Sequence, residues 1–299
     1  MKRRTVKFVL LAVLLVLFTY SIFWYFTKDP YSFSGDEFAY SKYRGSADYE
    51  TELRESNVTY NVYNISFMSR DFLNYKTKIY GLLFLPKGKQ NVPGVVLLPG
   101  GGVKKESEAK VAKVIANEGY AVLTIDQRGI GQTGGIYLNF EDDYKVFAEG
   151  KKPIQHLSVY DALKSFDVLR KIEGVDKNNI VMAGESMGGR YAIIAGAIDD
   201  GIKGVLVISS AGFHYKGNNE YSNYLLSVDP DHYAKGISPR AFIMLHGTND
   251  TTVPIESAKV TFELANEPKK FYTAEGCGHG YCGKMRDDLV GGLREMFGK

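Results

Sequence analysis

Short apolar runs alternate with amphipathic segments along most of this chain. The apolar runs lie at residues 95–98, 121–125, 180–183, 205–208 and 241–245, with a final strand-like run at 270–273. Apolar residues recur at helical spacing between them, over 108–118 and 158–172. Strands that alternate with helices favour a mostly parallel sheet covered by helices on both faces. The pattern therefore predicts a doubly wound α/β fold.

Two other parts of the pattern surround this core. Residues 60–68 and 78–85 read as an antiparallel pair of strands, with a turn at 70–74. Residues 211–239 break the alternation, because aromatic side chains are scattered there among Gly, Asn and Asp. We interpret this segment as a small cap over the site, and the variable stretch 136–153 as a second border of the same cleft.

The first 26 residues have the composition of a membrane-targeting segment rather than that of a folded domain. Residues 8–26 are almost wholly apolar and uncharged, and four basic residues precede them. Nineteen helical residues extend about 28 Å, close to the thickness of a bilayer core. The sequence predicts a cytoplasmic tail (1–7), a single-pass transmembrane signal anchor (8–26), a linker (27–59) and an extracytoplasmic domain (60–299) at the cell membrane. A cleaved signal peptide is the alternative.

The segment Gly-Glu-Ser-Met-Gly at 184–188 lies between a strand pattern and a helix pattern. Gly-x-Ser-x-Gly at such a turn is typical of a nucleophile elbow, which exposes the serine hydroxyl. The turn is too tight for bulky neighbours, and Gly184 and Gly188 meet that demand. Ser186 is therefore the candidate nucleophile, although the pattern alone also occurs by chance in glycine-rich turns.

Two later loops supply candidate partners for Ser186. Asp250 follows the apolar run at 241–245, and His279 follows the last strand pattern. The order Ser, Asp, His along the chain is the one found in doubly wound hydrolases. The alternatives are that Asp250 caps the next helix and that His279 is a solvated loop residue. His246 competes for the role of base, but it more simply shapes the turn before Gly247.

A candidate oxyanion hole comes from two backbone N–H groups. Met187 directly follows the nucleophile and supplies one. The second is expected from the glycines at 100–102, which follow a strand, with Gly101 preferred and Gly102 the alternative. A merely flexible loop is the other reading of these glycines.

Asp126 and Arg128 close another strand. We interpret them as a buried ion pair that braces the loops rather than as catalytic groups. The glycines that follow do not have dinucleotide-binding spacing.

These motifs together resemble those of the α/β-hydrolase superfamily, and are most similar to dienelactone hydrolases and prolyl oligopeptidase-like serine hydrolases. The matching segments are Leu-Pro-Gly-Gly-Gly (98–102), Asp-Gln-Arg-Gly-Ile-Gly (126–131), Gly-Glu-Ser-Met-Gly-Gly (184–189), His-Gly-Thr-Asn-Asp-Thr-Thr-Val-Pro (246–254) and Gly-His (278–279). Two positions depart from these relatives. Pro99 stands where many have His, and Ser186 stands where dienelactone hydrolases have Cys.

The resemblance implies a serine hydrolase that cleaves an ester or related acyl bond through an acyl-serine, and the N-terminal apolar segment implies that it is anchored in the membrane. A peptidase similar to prolyl oligopeptidases is the nearest alternative, and acyl transfer would use the same residues. A catalytically inactive binding protein is the alternative of another class. The expected partner is a small acyl substrate, with no metal or organic cofactor required.

Composition narrows these expectations in two respects. A net charge of +3 over 299 residues gives no reason to expect nucleic-acid binding. Cys277 and Cys282 bracket His279, and in an oxidising compartment we expect them to form a disulfide. Two reduced thiols are the alternative, whereas two Cys and one His are too few for a zinc site. The sequence leaves the oligomeric state open.

Overall fold

The computed structural model describes residues 12–20, 31–34, 37–40, 44–70, 76–217 and 219–298. The strands in chain order are β1 (Tyr31–Ser34), β2 (Glu37–Tyr40), β3 (Tyr49–Ser56), β4 (Tyr60–Arg70), β5 (Lys76–Pro86), β6 (Val92–Leu98), β7 (Ala121–Ile125), β8 (Val175–Glu185), β9 (Gly204–Ile208), β10 (Ala241–Gly247) and β11 (Lys269–Ala274). The helices that follow β6 are α1 (Ala109–Asn117), α2 (Phe140–Ala148), α3 (Ile154–Leu169), α4 (Met187–Ile198), α5 (Glu220–Val228), α6 (Pro230–Tyr233), α7 (Ile255–Leu264) and α8 (Arg286–Met296).

Nine strands form one sheet in the order β11-β10-β9-β8-β6-β7-β5-β4-β3. From β7 to β11 across β6, neighbouring strands run parallel. Strands β6, β7 and β9 are buried at every residue, which is typical of parallel strands covered on both faces. The predicted mostly parallel sheet is therefore confirmed, and its parallel strands end along one edge.

Helices cover both faces of this sheet. On one face, apolar residues of α3 and α4 and the start of α7 pack with the strands in one large core cluster. On the other face, apolar residues of α1 and α8 form a second cluster. Because both faces are covered, the exposed chemistry of the domain is concentrated in the loops at the strand ends.

The antiparallel lead-in predicted at 60–68 and 78–85 corresponds to β4 and β5, which pair along their whole length. Residues 71–75 of the turn lie outside the described residues. Strand β3 lies within the range 27–59 that we expected to be a linker, and it pairs antiparallel with β4. The sheet therefore extends into that range. Strands β1 and β2 form a separate two-stranded sheet.

The predicted membrane anchor falls mostly outside the described residues. Within 8–26, residues 12–20 are helical and exposed. Among all residues that the structure describes, no helix combines the length and the apolar character required to cross a bilayer.

The segment 211–239, predicted as a cap, contains α5, α6 and a 3-10 helix at Ala234–Ile237. Its aromatic residues pack against Phe140, Tyr144 and Phe147 of α2, which belongs to the second variable stretch. Tyr224 of α5 also donates a hydrogen bond to Asp143 at 2.8 Å. The two variable stretches therefore form one aromatic layer.

The first testable prediction concerns Gly188, which lies in α4. A Cβ atom there would lie 2.2 Å from the carbonyl oxygen of Leu98 and 2.5 Å from that of Pro99. We expect Gly188→Ala to lower the free energy of unfolding by about 3 kcal/mol, because backbone must move to admit the methyl group. Urea denaturation of the variant measures this change.

Gly291 in α8 is the matched control, because it is also a helical glycine and a Cβ added to it would have nothing within 4 Å. Gly291→Ala should leave stability unchanged or raise it by up to about 1 kcal/mol. Equal stability of the two variants would contradict the packing described here.

Candidate active site

Ser186 lies at a sharp turn between β8, which ends at Glu185, and α4, which begins at Met187. Its backbone has φ 53° and ψ −118°, a conformation that residues with side chains rarely adopt. Strain of this kind is typical of nucleophile elbows. The turn closes because Gly184 has no side chain: a Cβ there would lie 2.3 Å from the carbonyl oxygen of Gly188.

Hydrogen bonds from the neighbouring strand fix the backbone of this turn. The Ser186 N–H donates to the carbonyl of Ile208, the last residue of β9, at 2.9 Å. The Ser210 hydroxyl donates to the Ser186 carbonyl at 2.8 Å. Both polar backbone groups of the strained residue are therefore satisfied, which stabilises the conformation.

His279 and Asp250 form a close pair. The Nδ1 atom of His279 lies 2.8 Å from one carboxylate oxygen of Asp250 and 3.0 Å from the other. The Asp250 side chain is fully buried, whereas 28% of the His279 side chain is exposed. Because Nδ1 faces the carboxylate, Nδ1 carries the proton and donates it to Asp250 in a hydrogen bond. Nε2 is then the unprotonated, basic nitrogen.

The environment of Asp250 favours its charged form. Burial opposes ionisation, but the N–H of Val253 and the imidazole of His279 outweigh it, so the pKa of Asp250 is lowered. The N–H groups of Thr252 and Val253 donate to the same oxygen at 2.9 and 2.8 Å. Asp250 is therefore a fixed carboxylate, able to orient an imidazole and stabilise its positive form.

Two contacts attach the His279 loop to the surroundings of Ser186. The N–H of Gly280 donates to the hydroxyl of Ser209 at 3.0 Å, just after β9. The N–H of Tyr281 donates to Glu185 at 2.9 Å, and Glu185 immediately precedes Ser186. The loops that carry the three predicted catalytic residues thus meet at the carboxyl edge of the sheet.

The other histidines occupy different positions. His246 is buried, and its Nε2 lies 2.8 Å from the carbonyl of Val253, so it holds the loop that carries Asp250. His156 is buried against Ser227, and burial lowers its pKa to about 3. His214 pairs with Asp231 in the cap. His232 lies in α6.

The two cysteines on either side of His279 are joined. Cys277 and Cys282 form a disulfide with a Cα–Cα distance of 6.2 Å. The bridge closes a short loop around His279, and so restricts the backbone that carries the imidazole.

The predicted oxyanion donors lie around Ser186. Met187 is the first residue of α4, so its N–H has no acceptor within the helix. A Cβ on Gly101 would lie 3.0 Å from Cε of Met187, so the glycine loop passes close to this helix start. Gly102 has φ +72° and open space around it. Of the two glycines, Gly101 is therefore the one that lies against Met187.

Two carboxyl groups that the sequence pattern did not single out lie close to the glycine loop and the elbow: Glu108, which is buried, and Glu185, which is partly buried. Glu108 is 2% exposed, and it accepts a hydrogen bond from the Gly100 backbone. Burial raises its pKa to about 8, with a further contribution from the carboxylate of Glu185. Burial likewise raises the pKa of Glu185. Glu108 thus holds the glycine loop at 100–102, and Glu185 holds the His279 loop through the N–H of Tyr281. Glu185 lies within the elbow motif, but the sequence pattern does not indicate that its carboxyl group is partly buried.

The predicted ion pair between Asp126 and Arg128 is wrong in its partners. Arg128 instead pairs with Asp161 of α3 at 2.6 Å, and Asp126 pairs with Lys105 at 2.8 Å. All four side chains are at most 3% exposed. The side chains of Asp126 and Arg128 point in different directions, so each forms its ion pair with a residue from another part of the chain. Both pairs still brace the loops, as expected.

Comparison with known proteins identifies the family. The family model described as "Acetyl xylan esterase (AXE1)" matches residues 28–216. The chain belongs to the acetyl xylan esterase (AXE1) family. The match includes the elbow at Ser186 and ends before Asp250 and His279. It confirms the resemblance to serine hydrolases of the α/β-hydrolase superfamily.

The chain is also similar to other proteins and to solved structures. The uncharacterized protein YfhR of Escherichia coli is 29% identical over 139 residues, which cover 44% of this chain and 49% of YfhR. The chain thus spans about half the length of this relative. Among solved structures, acetyl xylan esterase 1 from Thermoanaerobacterium sp. has a TM-score of 0.68 and 16% identity, covering 83% of this chain and 88% of that one. The acetyl xylan esterase from Paenibacillus sp. has the same TM-score and coverage, at 18% identity. At these identities the structural likeness establishes the α/β-hydrolase fold.

A pH-dependent stability is predicted from Glu108. Its folded-state pKa of about 8 is above the ordinary 4.5, so the folded protein holds this proton more tightly than the unfolded chain. The free energy of unfolding should therefore fall as the pH rises from 4.5 to about 8, by about 1.4 kcal/mol for each unit of the pKa difference. Glu108→Gln should flatten this dependence in urea denaturation at pH 5 and pH 8.5.

The control is Glu106→Gln, because Glu106 lies on the same short 3-10 helix with 42% of its side chain exposed. This variant should keep the wild-type pH dependence. A Glu108→Gln protein that loses stability between the two pH values as steeply as the wild type would contradict the assignment of the buried proton.

Proposed function

We propose that this esterase cleaves a small acyl ester through an acyl-serine intermediate at Ser186. The imidazole of His279 takes the proton of the Ser186 hydroxyl, and the oxygen attacks the ester carbonyl carbon. The imidazolium then gives its proton to the leaving alcohol as the carbon–oxygen ester bond breaks. Water attacks the acyl-serine by the same proton route, releasing the acid and restoring Ser186.

The pairing of His279 with the buried carboxylate of Asp250 carries this proposal. It fixes the tautomer in which Nε2 is basic, and its charge offsets the positive charge that forms on the imidazole. An imidazole alone in a loop would have neither property. The attachment of the His279 loop to Glu185, the neighbour of Ser186, supports a direct approach of base and nucleophile.

The N–H groups of Met187 and Gly101 are proposed to stabilise the oxyanion that forms in each step. In comparable sites, removing one such donor raises the activation free energy by about 3–4 kcal/mol. Family membership supports an acetyl ester as the substrate class.

We further propose that residues 8–26 anchor the protein in the cell membrane, with the catalytic domain on the extracytoplasmic side. The basic residues before this apolar stretch support the orientation. A disulfide beside His279 is consistent with an oxidising compartment.

Ser186→Ala tests the nucleophile. We expect hydrolysis of 4-nitrophenyl acetate to fall by a factor of about 10⁴ or more, because no other group can form the acyl intermediate. Labelling by a fluorophosphonate probe should also disappear. Both are measured on purified protein, with circular dichroism to show that the fold is kept.

Ser107→Ala is the matched control, since Ser107 is an exposed serine outside the site. This variant should hydrolyse the ester and react with the probe as fully as the wild type. Persistent fluorophosphonate labelling of the Ser186→Ala protein would remove Ser186 from its role. Cleavage of aminoacyl-4-nitroanilides without cleavage of any ester would replace the esterase by a peptidase.

Deletion of residues 1–26 tests the anchor. In bacterial cells, the full chain should sediment with membranes and resist extraction by carbonate, whereas the shortened chain should be soluble. The value of kcat/KM for 4-nitrophenyl acetate should be the same for both. A full-length protein found in the soluble fraction would contradict the proposed anchor.

A further inference from the structure

Arg190 is a partly buried cation beside the proposed nucleophile. It lies in α4, four residues after Ser186, so both positions are on the same helical face. Its Nε donates to the carbonyl of Ala211 at 3.0 Å. Its guanidinium carbon lies 4.5 Å from the centre of the Phe213 ring. The side chain therefore extends from the elbow helix towards the cap.

The terminal nitrogens of Arg190 have no carboxylate partner in the part of the chain that the structure describes. Asp229 and Asp231 act on it only from a distance. Asp229 accepts from the N–H groups of Phe213 and Asp231, and Asp231 accepts from His214 and Thr261. Burial lowers the pKa of Arg190, which reflects a charge that has lost water without gaining an ion pair.

The surroundings of Arg190 connect it to the reacting centre. The Ala211 carbonyl that accepts from Arg190 directly follows Ser210, whose hydroxyl donates to the Ser186 carbonyl at 2.8 Å. Arg190 and Phe213 are each only partly buried, so a ligand can reach them from solvent. We name Arg190 and Phe213 together the Arg190 subsite.

We propose that the Arg190 subsite binds a carboxylate group of the substrate, so that the enzyme prefers esters that carry an ionised acid group a few bonds from the scissile carbonyl. A guanidinium presents parallel N–H donors that match the two oxygens of a carboxylate. Phe213 covers one face of the guanidinium and leaves its terminal N–H groups for the ligand. This inference rests on the proposed function, because it names the substrate class of the same site.

A purely structural role for Arg190 makes a different prediction. Its bonds to Ala211 and Phe213 could serve only to attach the cap to α4. Loss of that attachment would weaken the turnover of all substrates by a similar factor. A carboxylate-binding role changes the preference between charged and neutral substrates instead.

The test uses pairs of esters that match in length and differ in charge. Monoethyl glutarate carries the acid on the acyl side and is matched by neutral ethyl valerate, whereas 4-acetoxybutyrate carries it on the alcohol side and is matched by neutral butyl acetate. Hydrolysis is followed by proton release for the wild type, Arg190→Gln and Arg190→Lys. Arg286→Gln is the control, because Arg286 is an exposed arginine that pairs with Glu118 far along the chain.

The wild type should favour the charged ester of at least one pair. Arg190→Gln should reduce kcat/KM for that ester by about 10- to 100-fold, mainly through KM, and change the neutral ester little. Arg190→Lys should keep part of the preference that Arg190→Gln loses, because lysine keeps the positive charge but lacks the two parallel N–H donors of a guanidinium. Arg286→Gln should behave as the wild type.

Two results would overturn the inference. One is a wild type without charge preference in either pair, and the other is an Arg190→Gln protein that loses the same factor on charged and neutral esters. Failure of the proposed function is recognised separately, since the wild type would then hydrolyse none of the esters and would not be labelled by fluorophosphonate.

Discussion

The close contact between the start of α4 and the loop after β6 is the constraint on which the rest of the site depends. The Cβ position of Gly188 is filled by the carbonyl oxygens of Leu98 and Pro99, and that of Gly184 by the backbone of Gly188 itself. Only glycine allows these backbones to approach so closely. The approach sets Ser186 at its strained backbone angles and brings the helix start against the glycine loop.

Hydrogen bonds then join the remaining loops to this contact. Glu185, next to Ser186, holds the His279 loop through the N–H of Tyr281, and Glu108 holds the glycine loop through Gly100. Burial keeps both carboxyl groups from ionising readily. These bonds hold the proposed nucleophile, base and oxyanion donors in one rigid arrangement. A misplaced loop would weaken each of the proposed catalytic interactions.

The parts of this arrangement that the sequence made predictable are those with a local pattern. The buried runs of β6, β7 and β9 gave the parallel sheet, and the glycines around Ser186 gave the elbow. Asp250 and His279 were found because each follows a strand, and the structure places them in contact.

The parts that were missed depend on contacts between distant elements. Arg128 pairs with Asp161 rather than with its neighbour Asp126, because the direction of a loop side chain is set by the fold. Strand β3 lies at the edge of the sheet and is exposed at almost every residue, so its sequence is largely polar. A polar sequence of this kind predicts a linker rather than a strand. Glu108 and Arg190 resemble ordinary surface residues of a helix in the sequence, and only the structure shows that Glu108 is buried and that Arg190 is held by the Ala211 carbonyl.

The most direct test of the central claim is a crystal structure of the protein inhibited by a phosphonate ester. We predict a covalent bond from phosphorus to the Ser186 hydroxyl oxygen, with the phosphoryl oxygen about 2.7–3.1 Å from the N–H nitrogens of Met187 and Gly101. The Nε2 atom of His279 should lie within hydrogen-bond reach of Ser186, while Nδ1 stays on Asp250. An adduct on any other residue, or a His279 imidazole turned away from Ser186 with Asp250 unpaired, would contradict the account.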